Sequence, residues 1–280
     1  MIGGIMILIV AGMSVLYVVL LFRAWRKGKP KRIRPNVDPF VILLHYRPLL
    51  ARLQPLLQRQ RICLAILNGG ACPLETLVAW AAECVGLAYF MLLISCLLGV
   101  ASNNSALFML GILVSGCLLV LRSKELSDKV SKRRQAIVME MPELLSRLLL
   151  MVNAGENVMR ALARSIEQKH DSANPLYMEL KAAIEGMKRG ESLATALEEM
   201  GRRCAVPEVK LFATTLLINA RRGGDAFVPA LRELTRQMWD KRKAIARTLG
   251  EQASSRLAFP LAVVFLLIMV LVGAPTVLMM

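Results

Sequence analysis

Cysteines at 63, 72, 84, 96, 117 and 204 and histidines at 45 and 170 are the residues best suited to hold a metal or act as nucleophiles. Their spacing argues against both roles. No two cysteines form the C-x-x-C pair that zinc sites and thiol redox centres use. Three of the six lie in or beside long uncharged runs, where cysteine reads as a packing residue, and a reducing cytoplasm disfavours disulfides. His45 and His170 have no neighbour in sequence that suggests a ligand set or a nucleophile, and read as solvated or capping residues. The chain has no G-x-x-x-x-G-K-[ST] loop, so it is not itself a P-loop ATPase. Glu83 stands at the mouth of an uncharged run. An acid inside a bilayer marks function, whereas one at the edge reaches back into the interface. These residue types therefore point to no bond-making chemistry. No catalytic, cofactor-binding or metal residue is assigned, and no cofactor is expected.

The chain is 56% hydrophobic, 20% charged and carries a formal net charge of +16. Such values coexist when apolar and charged residues are segregated, and here they are. Ile2 to Phe22 carries no charge, nor do Cys84 to Ser102, Ala106 to Leu121 and Leu257 to Met280. A helix of ~20 apolar residues spans the hydrocarbon core; the third run is short and would extend by tilting or by snorkelling at its ends. The first run lacks a basic segment before it and is too long for the core of a secretory signal, so it reads as an uncleaved anchor. Arg23 and Trp25 follow it, as at a membrane interface.

Eleven Lys or Arg lie between Arg23 and Arg61, the other 25 lie between Arg122 and Arg256, and "ASNNS" between the second and third runs has none. With four crossings both basic segments fall on one side, which the positive-inside rule assigns to the cytoplasm. The expected organisation is a first transmembrane helix over 1–22 and a basic cytoplasmic helical segment over 23–83. Transmembrane helices 2 and 3 with a short outer loop take 84–121, a cytoplasmic helical domain takes 122–256, and a fourth transmembrane helix takes 257–280. Both termini are expected outside. The run "RAWRKGKPKRIRP" places Arg23, Arg26, Lys27, Lys29, Lys31, Arg32 and Arg34 directly after the first crossing. Contact with anionic lipid accounts for them there. A nucleic-acid partner is set aside, because aromatics are only 5% of the chain and no basic and aromatic platform appears.

One phrase recurs. "GENVMRAL" starts at Gly155, "GESLATAL" at Gly190 and "GDAFVPAL" at Gly224, 35 and then 34 residues apart. Before the first copy, Met141, Leu144, Leu145, Leu148 and Val152 fall at helical spacing. After it, Val158, Ala161, Leu162 and Ser165 begin a new period. A glycine between two such patterns suits the left-handed residue that ends a helix. The neighbouring acid, and Asn157 or Ser192 two places on, suit the start of the next helix, where backbone N–H groups lack partners. Each copy reads as the bend of a helical hairpin, turning at Gly155, at Gly190, and at Gly223 or Gly224.

Pro175 and Pro207 suit first helical turns. The cytoplasmic domain then reads as six helices, near 126–154, 157–170, 175–188, 192–203, 207–222 and 226–254, with Pro142 kinking or breaking the first. Short connections favour antiparallel neighbours. The fold class is all-α: a polytopic membrane protein with four transmembrane helices and a cytoplasmic six-helix antiparallel bundle. The glycine bends follow the first, third and fifth helices and share the pole away from the membrane. Lys188, Arg189, Arg221 and Arg222 are expected there, beside Glu156, Glu191 and Asp225.

"MPELLSRLLLMVNAGENVMRAL", "MKRGESLATALEEM" and "LLINARRGGDAFVPALREL" together resemble the F-domain of type II secretion and type IV pilus platform proteins. The closing "SSRLAFPLAVVFLLIMVLVGAPTV" and the two crossings before the domain resemble the tight-adherence (Tad) pilus branch, nearer its TadC than its TadB members. "ILNGGACPLETLVAW" resembles that family's helix bend before the second crossing. The resemblance covers 122–280 well and 40–121 in outline. It implies a non-enzymatic platform in the bacterial inner membrane. Its implied partners are a cytoplasmic hexameric ATPase, pilin subunits, membrane lipids, and a sister subunit or a second copy, since the chain has one full F-domain. The basic pairs at the membrane-distal pole are expected to face that ATPase, because this pole lies farthest from lipid and a cytoplasmic motor would meet it first. A small transporter or a membrane signalling scaffold is the alternative. A transporter would need polar or broken helices at mid-membrane, and these runs offer little beyond Ser95 and Ser115.

A reporter fused after Met280 is expected to behave as exported, and one inserted near Ser172 as cytoplasmic. Both reporters on one side would refute the four-crossing organisation.

Overall fold

The computed structural model describes residues 2–27, 38–44, 47–102, 105–167, 174–222 and 224–278, and these residues contain helices and no strand. The helices are α1 (Ile2–Lys27), α2 (Asp38–Leu44), α3 (Arg47–Leu67), α4 (Leu74–Ala101), α5 (Ser105–Asn153), α6 (Val158–Glu167), α7 (Pro175–Lys188), α8 (Leu193–Cys204), α9 (Pro207–Arg222) and α10 (Gly224–Leu278). Among the described residues three helical stretches are long and apolar enough to cross a membrane: Leu74–Ala101, Ala106–Asn153 and Phe227–Val270. In α1 the described apolar stretch is the shorter Val10–Arg23. The chain divides into two compact units, one of Met1–Gln135 with Arg202–Ala205, the other of Ala136–Gly201 with Val206–Met280.

In the first unit Phe40 and Leu44 of α2 pack with Val78, Ala81 and Ala82 of α4, and Tyr17 of α1 and Tyr89 of α4 close over them. Tyr17 and Tyr89 stack with ring centroids 6.1 Å apart, and the Tyr89 hydroxyl donates to the Met13 carbonyl. Leu64 of α3, Leu77 of α4 and Leu126 of α5 form a second cluster. Between them α3 ends in a turn at Asn68–Gly70, where the Gly70 N–H donates back to the Ala65 carbonyl at 2.7 Å. The last carbonyls of a helix have no partner inside it. Arg133 Nη1 donates to the Leu67 carbonyl at 3.0 Å, and Arg202 Nη1 to the Gly70 carbonyl at 3.1 Å. Both guanidinium groups sit where the negative end of the α3 dipole favours a cation.

Helices α4 and α5 meet through small and hydroxyl residues. Ser95 Oγ donates to the Leu107 carbonyl at 2.7 Å, and Ser115 Oγ to the Ala88 carbonyl at 3.1 Å. Gly111 lies against Ser95 so closely that a methyl group there would overlap the serine side chain. Hydrocarbon offers no hydrophobic drive between helices, so close packing and shared hydrogen bonds hold such a pair.

The second unit has its own core. Ile137, Met141, Leu144 and Leu148 recur along one face of α5 and are buried. Also buried in this unit are Leu162 of α6, Leu176 and Leu180 of α7, Leu197 and Met200 of α8, Phe212 and Leu216 of α9, and Phe227, Leu231 and Leu234 of α10. Pro142 stands inside α5, which continues through it to Asn153. The proline supplies no N–H for the carbonyl one turn back; the helix tolerates this because its neighbours Met141, Leu144 and Leu145 are fully buried. Two polar contacts fix partners across the unit. Trp239 Nε1 of α10 donates to Ser146 Oγ of α5 at 3.1 Å, with the Arg242 guanidinium 5.2 Å from the indole centroid. Lys241 of α10 pairs with Glu208, a buried carboxylate in the first turn of α9.

Helix boundaries expected from sequence recur within a few residues at α6, α7, α8 and α9. The expected first and last helices of the domain are longer than their periodic stretches. They are the inner parts of α5, with 49 residues, and α10, with 55. At 1.5 Å per residue each extends about 75–80 Å, well over twice the ~30 Å of hydrocarbon.

Gly111 and Gly116 lie five positions apart on α5, and a methyl group on Gly116 would meet nothing within 4 Å. Gly111→Ala should lower the stability of the detergent-solubilised chain by about 1–3 kcal/mol through overpacking. Gly116→Ala should leave it unchanged or raise it by up to about 1 kcal/mol, since alanine is the better helix former. Thermal unfolding of both variants compares them directly.

Candidate functional site

The three glycine phrases divide in the structure. At the first, α5 ends at Asn153 and Gly155 has φ 85°. Its N–H donates to the Val152 carbonyl at 3.0 Å, and the Glu156 N–H reaches back to the Met151 carbonyl at 3.0 Å. At the second, Gly190 has φ 99°, its N–H donates to Met187 O at 3.0 Å, and the Glu191 N–H donates to Gly186 O at 3.1 Å. This pair of nested bonds around a left-handed residue is the Schellman arrangement, which satisfies carbonyls the helix leaves open. A Cβ at either glycine would meet nothing within 4 Å, so the demand for glycine is conformational rather than steric.

The next helices open on side-chain caps. Asn157 Oδ1 accepts from the Met159 N–H at 2.9 Å at the head of α6, and Ser192 Oγ accepts from the Thr195 N–H at 3.1 Å at the head of α8. Asn174 caps α7 in the same way, accepting from the Leu176 N–H at 2.9 Å, with Pro175 in the first turn. Bends one and two are therefore one device: a left-handed glycine, an acid that donates its backbone N–H backwards, and a capping residue that starts the return helix. At the third phrase Gly224 opens α10, and Gly223 lies outside the described residues.

The charges at these bends have local partners. Glu156 is only 14% exposed, and its carboxylate stands 3.4 Å from the Arg164 guanidinium one hairpin arm away. Glu191 stands 3.6 Å from Arg189, and it folds back against Gly186, where a Cβ would come within 2.6 Å of its carboxylate. Lys188 closes α7, and its positive charge suits that end of the helix. Arg221 and Arg222 are the last residues of α9, and Asp225 lies in the first turn of α10; their side chains lie outside the described residues. At the other basic region, Arg23 and Arg26 are exposed near the end of α1 and Lys27 closes that helix, while Lys29, Lys31, Arg32 and Arg34 lie outside the described residues.

Among the described residues no three His, Cys, Asp or Glu side chains gather as metal ligands. The six cysteines carry free thiols, and those at 84, 96 and 204 are buried. The Tyr177 hydroxyl, in the core of the second unit, is raised above its ordinary value by burial, with the Glu143 carboxylate adding to the effect. It stays neutral at physiological pH.

The protein is thus an all-helical chain with long apolar helices that run into a packed helical unit, and its distinctive local feature is a repeated, capped helix reversal. Residues 144–275 match the family model of the type II secretion system (T2SS), protein F. The match begins in the buried face of α5 and ends in the apolar part of α10, so it takes in both described bends. Over these residues the chain is similar to that family. No curated protein and no solved structure matches the chain.

Replacing Gly155 or Gly190 with Val should cost about 1–2 kcal/mol, because an L side chain is strained at positive φ. Asn at either position should cost less, since its side chain tolerates the left-handed region. Denaturant unfolding of the detergent-solubilised chain separates the two substitutions; equal, negligible effects would show that the bends do not depend on backbone conformation.

Proposed function

We propose that the chain is a platform protein of the bacterial inner membrane that serves a Tad or type IV-like pilus, or a type II secretion machine. In this reading it couples a cytoplasmic ATPase to the extraction and polymerisation of pilin subunits. One observation carries the reading: the match over 144–275 lies on a helical unit whose first and last helices, α5 and α10, continue without a break into apolar stretches. A displacement of the unit is then a displacement of the membrane helices, without any bond being made or broken. Rigid-body motion of packed helices is an established way to transmit work.

Four crossings, with α1 as the first and with both termini outside, fit the charge distribution. The six helices of 122–256 then form a cytoplasmic antiparallel bundle, with its glycine bends farthest from lipid. Lys188, Arg189, Arg221 and Arg222 would dock the ATPase from that pole. Glu156, Glu191 and Asp225 would restrict the approach by excluding mismatched charge. The pairing of Glu191 with Arg189 and of Glu156 with Arg164 supports a further role for the acids, holding arginines at set angles. The arginines and lysines of 23–34 would rest on anionic headgroups. With one F-domain per chain, a second copy or a sister subunit would complete the platform.

Reversing Arg221 and Arg222 to Glu should abolish pilus assembly and ATPase co-purification while the chain still inserts at normal levels. Charges at helix ends are commonly no more than solvated, and normal co-purification by the inserted variant would assign these two to that ordinary role.

A further inference from the structure

At the charged end of the apolar run in α5, the seam between α3 and α5 opens on one side into a cleft of about 290 Å³. Arg59, Gln60 and Cys63 of α3 line it, facing Val120, Ser123, Lys124 and Ser127 of α5. Its charges are unbalanced. Arg59 and Lys124 are both cationic, and among the described residues no acid lines the cleft. The cleft on the other side of Leu126, of about 240 Å³, is different: Arg122 and Lys129 there meet Glu125 at 3.1 and 2.9 Å, and Glu83 joins them. The first cleft therefore calls for an anion from elsewhere, and the second does not.

Two further features narrow the ligand. Gln60 Nε2 donates to Ser123 Oγ at 3.2 Å, which leaves Oε1 of the same amide buried without a donor. An unsatisfied buried acceptor is costly and asks for an O–H or N–H group. Val120 and Leu121, the last residues of the uncharged run, are exposed just below the basic residues. A soluble phosphate would leave that apolar surface bare, whereas a lipid would cover it with its acyl chains.

We propose that this α3–α5 cleft is a binding site for an anionic glycerophospholipid whose headgroup carries a hydroxyl, of the phosphatidylglycerol type. The phosphate lies between Arg59 and Lys124, with the Ser123 and Ser127 hydroxyls as further donors. The headgroup hydroxyl donates to Gln60 Oε1, and the acyl chains run down past Val120. The site rests on the reading that α5 crosses the bilayer with Val120 and Leu121 at its edge. It is separate from the basic run 23–34, most of which lies outside the described residues.

Native mass spectrometry of the full chain released from nanodiscs tests the site. The discs contain phosphatidylglycerol and phosphatidylcholine in equal amounts. Wild type should retain phosphatidylglycerol preferentially. The double variant Arg59→Gln, Lys124→Gln should retain about thirtyfold less, since each cation near a membrane surface contributes about 1 kcal/mol and 1.4 kcal/mol is tenfold. Ser127→Leu keeps both charges and fills the cleft, and should also lose the lipid. A double variant of Arg23→Gln and Arg26→Gln should not. Equal retention by wild type and the Arg59, Lys124 variant overturns the site. So does protection of the detergent-solubilised protein against heat by soluble glycerol phosphate as fully as by phosphatidylglycerol, which would make the ligand a free phosphate. Extraction of wild-type chain from membranes by alkaline carbonate would overturn the crossing of α5 together with the site. Resistance to carbonate with unselective retention overturns the site alone.

Discussion

Hydrocarbon offers no partner to a backbone N–H or C=O, and an unsatisfied group there costs several kcal/mol. A chain that enters a bilayer can leave its helix only where water, protein or a side-chain cap takes over those bonds. The described structure follows that rule in both directions. Where α5 and α10 pass between apolar and charged sequence they do not break, and become helices of 49 and 55 residues. The reversals at Asn68–Gly70, Gly155 and Gly190 all fall outside the long apolar stretches. At each reversal the open carbonyls are taken up within a few residues, by nested backbone bonds and, at the end of α3, by two arginines.

The same rule governs what the sequence discloses. The bends at Gly155 and Gly190 are legible because one residue type tolerates φ near +90° and because Asn157 and Ser192 follow at the capping distance. The starts of α7 and α9 are marked by Pro175 and Pro207. These are local devices, and a local reading finds them. The tertiary pairings are not local. Nothing in the sequence around Gly111 shows that it meets Ser95 rather than lipid, and nothing around Glu208 shows that its partner is Lys241, 33 residues on. The packing of Phe40 and Leu44 on α4 was hidden too, because a seven-residue helix is too short to declare a period. Pro142 misleads in the opposite direction. Its local preference is to break a helix, and a face of fully buried Met141, Leu144, Leu145 and Leu148 carries α5 through it.

The candidate site was legible in its charges and less so in its pairings. Sequence places Arg189 and Glu191 together as neighbours. It does not show that Glu156 reaches Arg164 rather than another cation, or that the absence of a side chain at Gly186 gives Glu191 room to fold back. Exposed pairs of this kind contribute about 0–1 kcal/mol to stability. Their value at a bend is geometric: a held guanidinium presents its remaining donors at a fixed angle. That is useful to a docking surface and irrelevant to a core.

Whether long helices can transmit displacement depends on how they are tied at the end that is pushed. A single helix of about 75 Å bends gently under load, and solvent-side hydrogen bonds lengthen first. In the second unit α5 and α10 are joined at one level by the Trp239–Ser146 hydrogen bond, with Arg242 over the indole. Around and beyond that level the unit buries Leu144, Leu148, Phe212 and Leu231, all with no exposed surface. Close-packed interiors are poorly compressible and pass strain on rather than absorbing it. Force applied at the bends would therefore reach both helices together, at the same height, before either turns apolar. The buried Glu208, held by Lys241, ties α9 to α10 near that level and keeps the last hairpin from lagging behind.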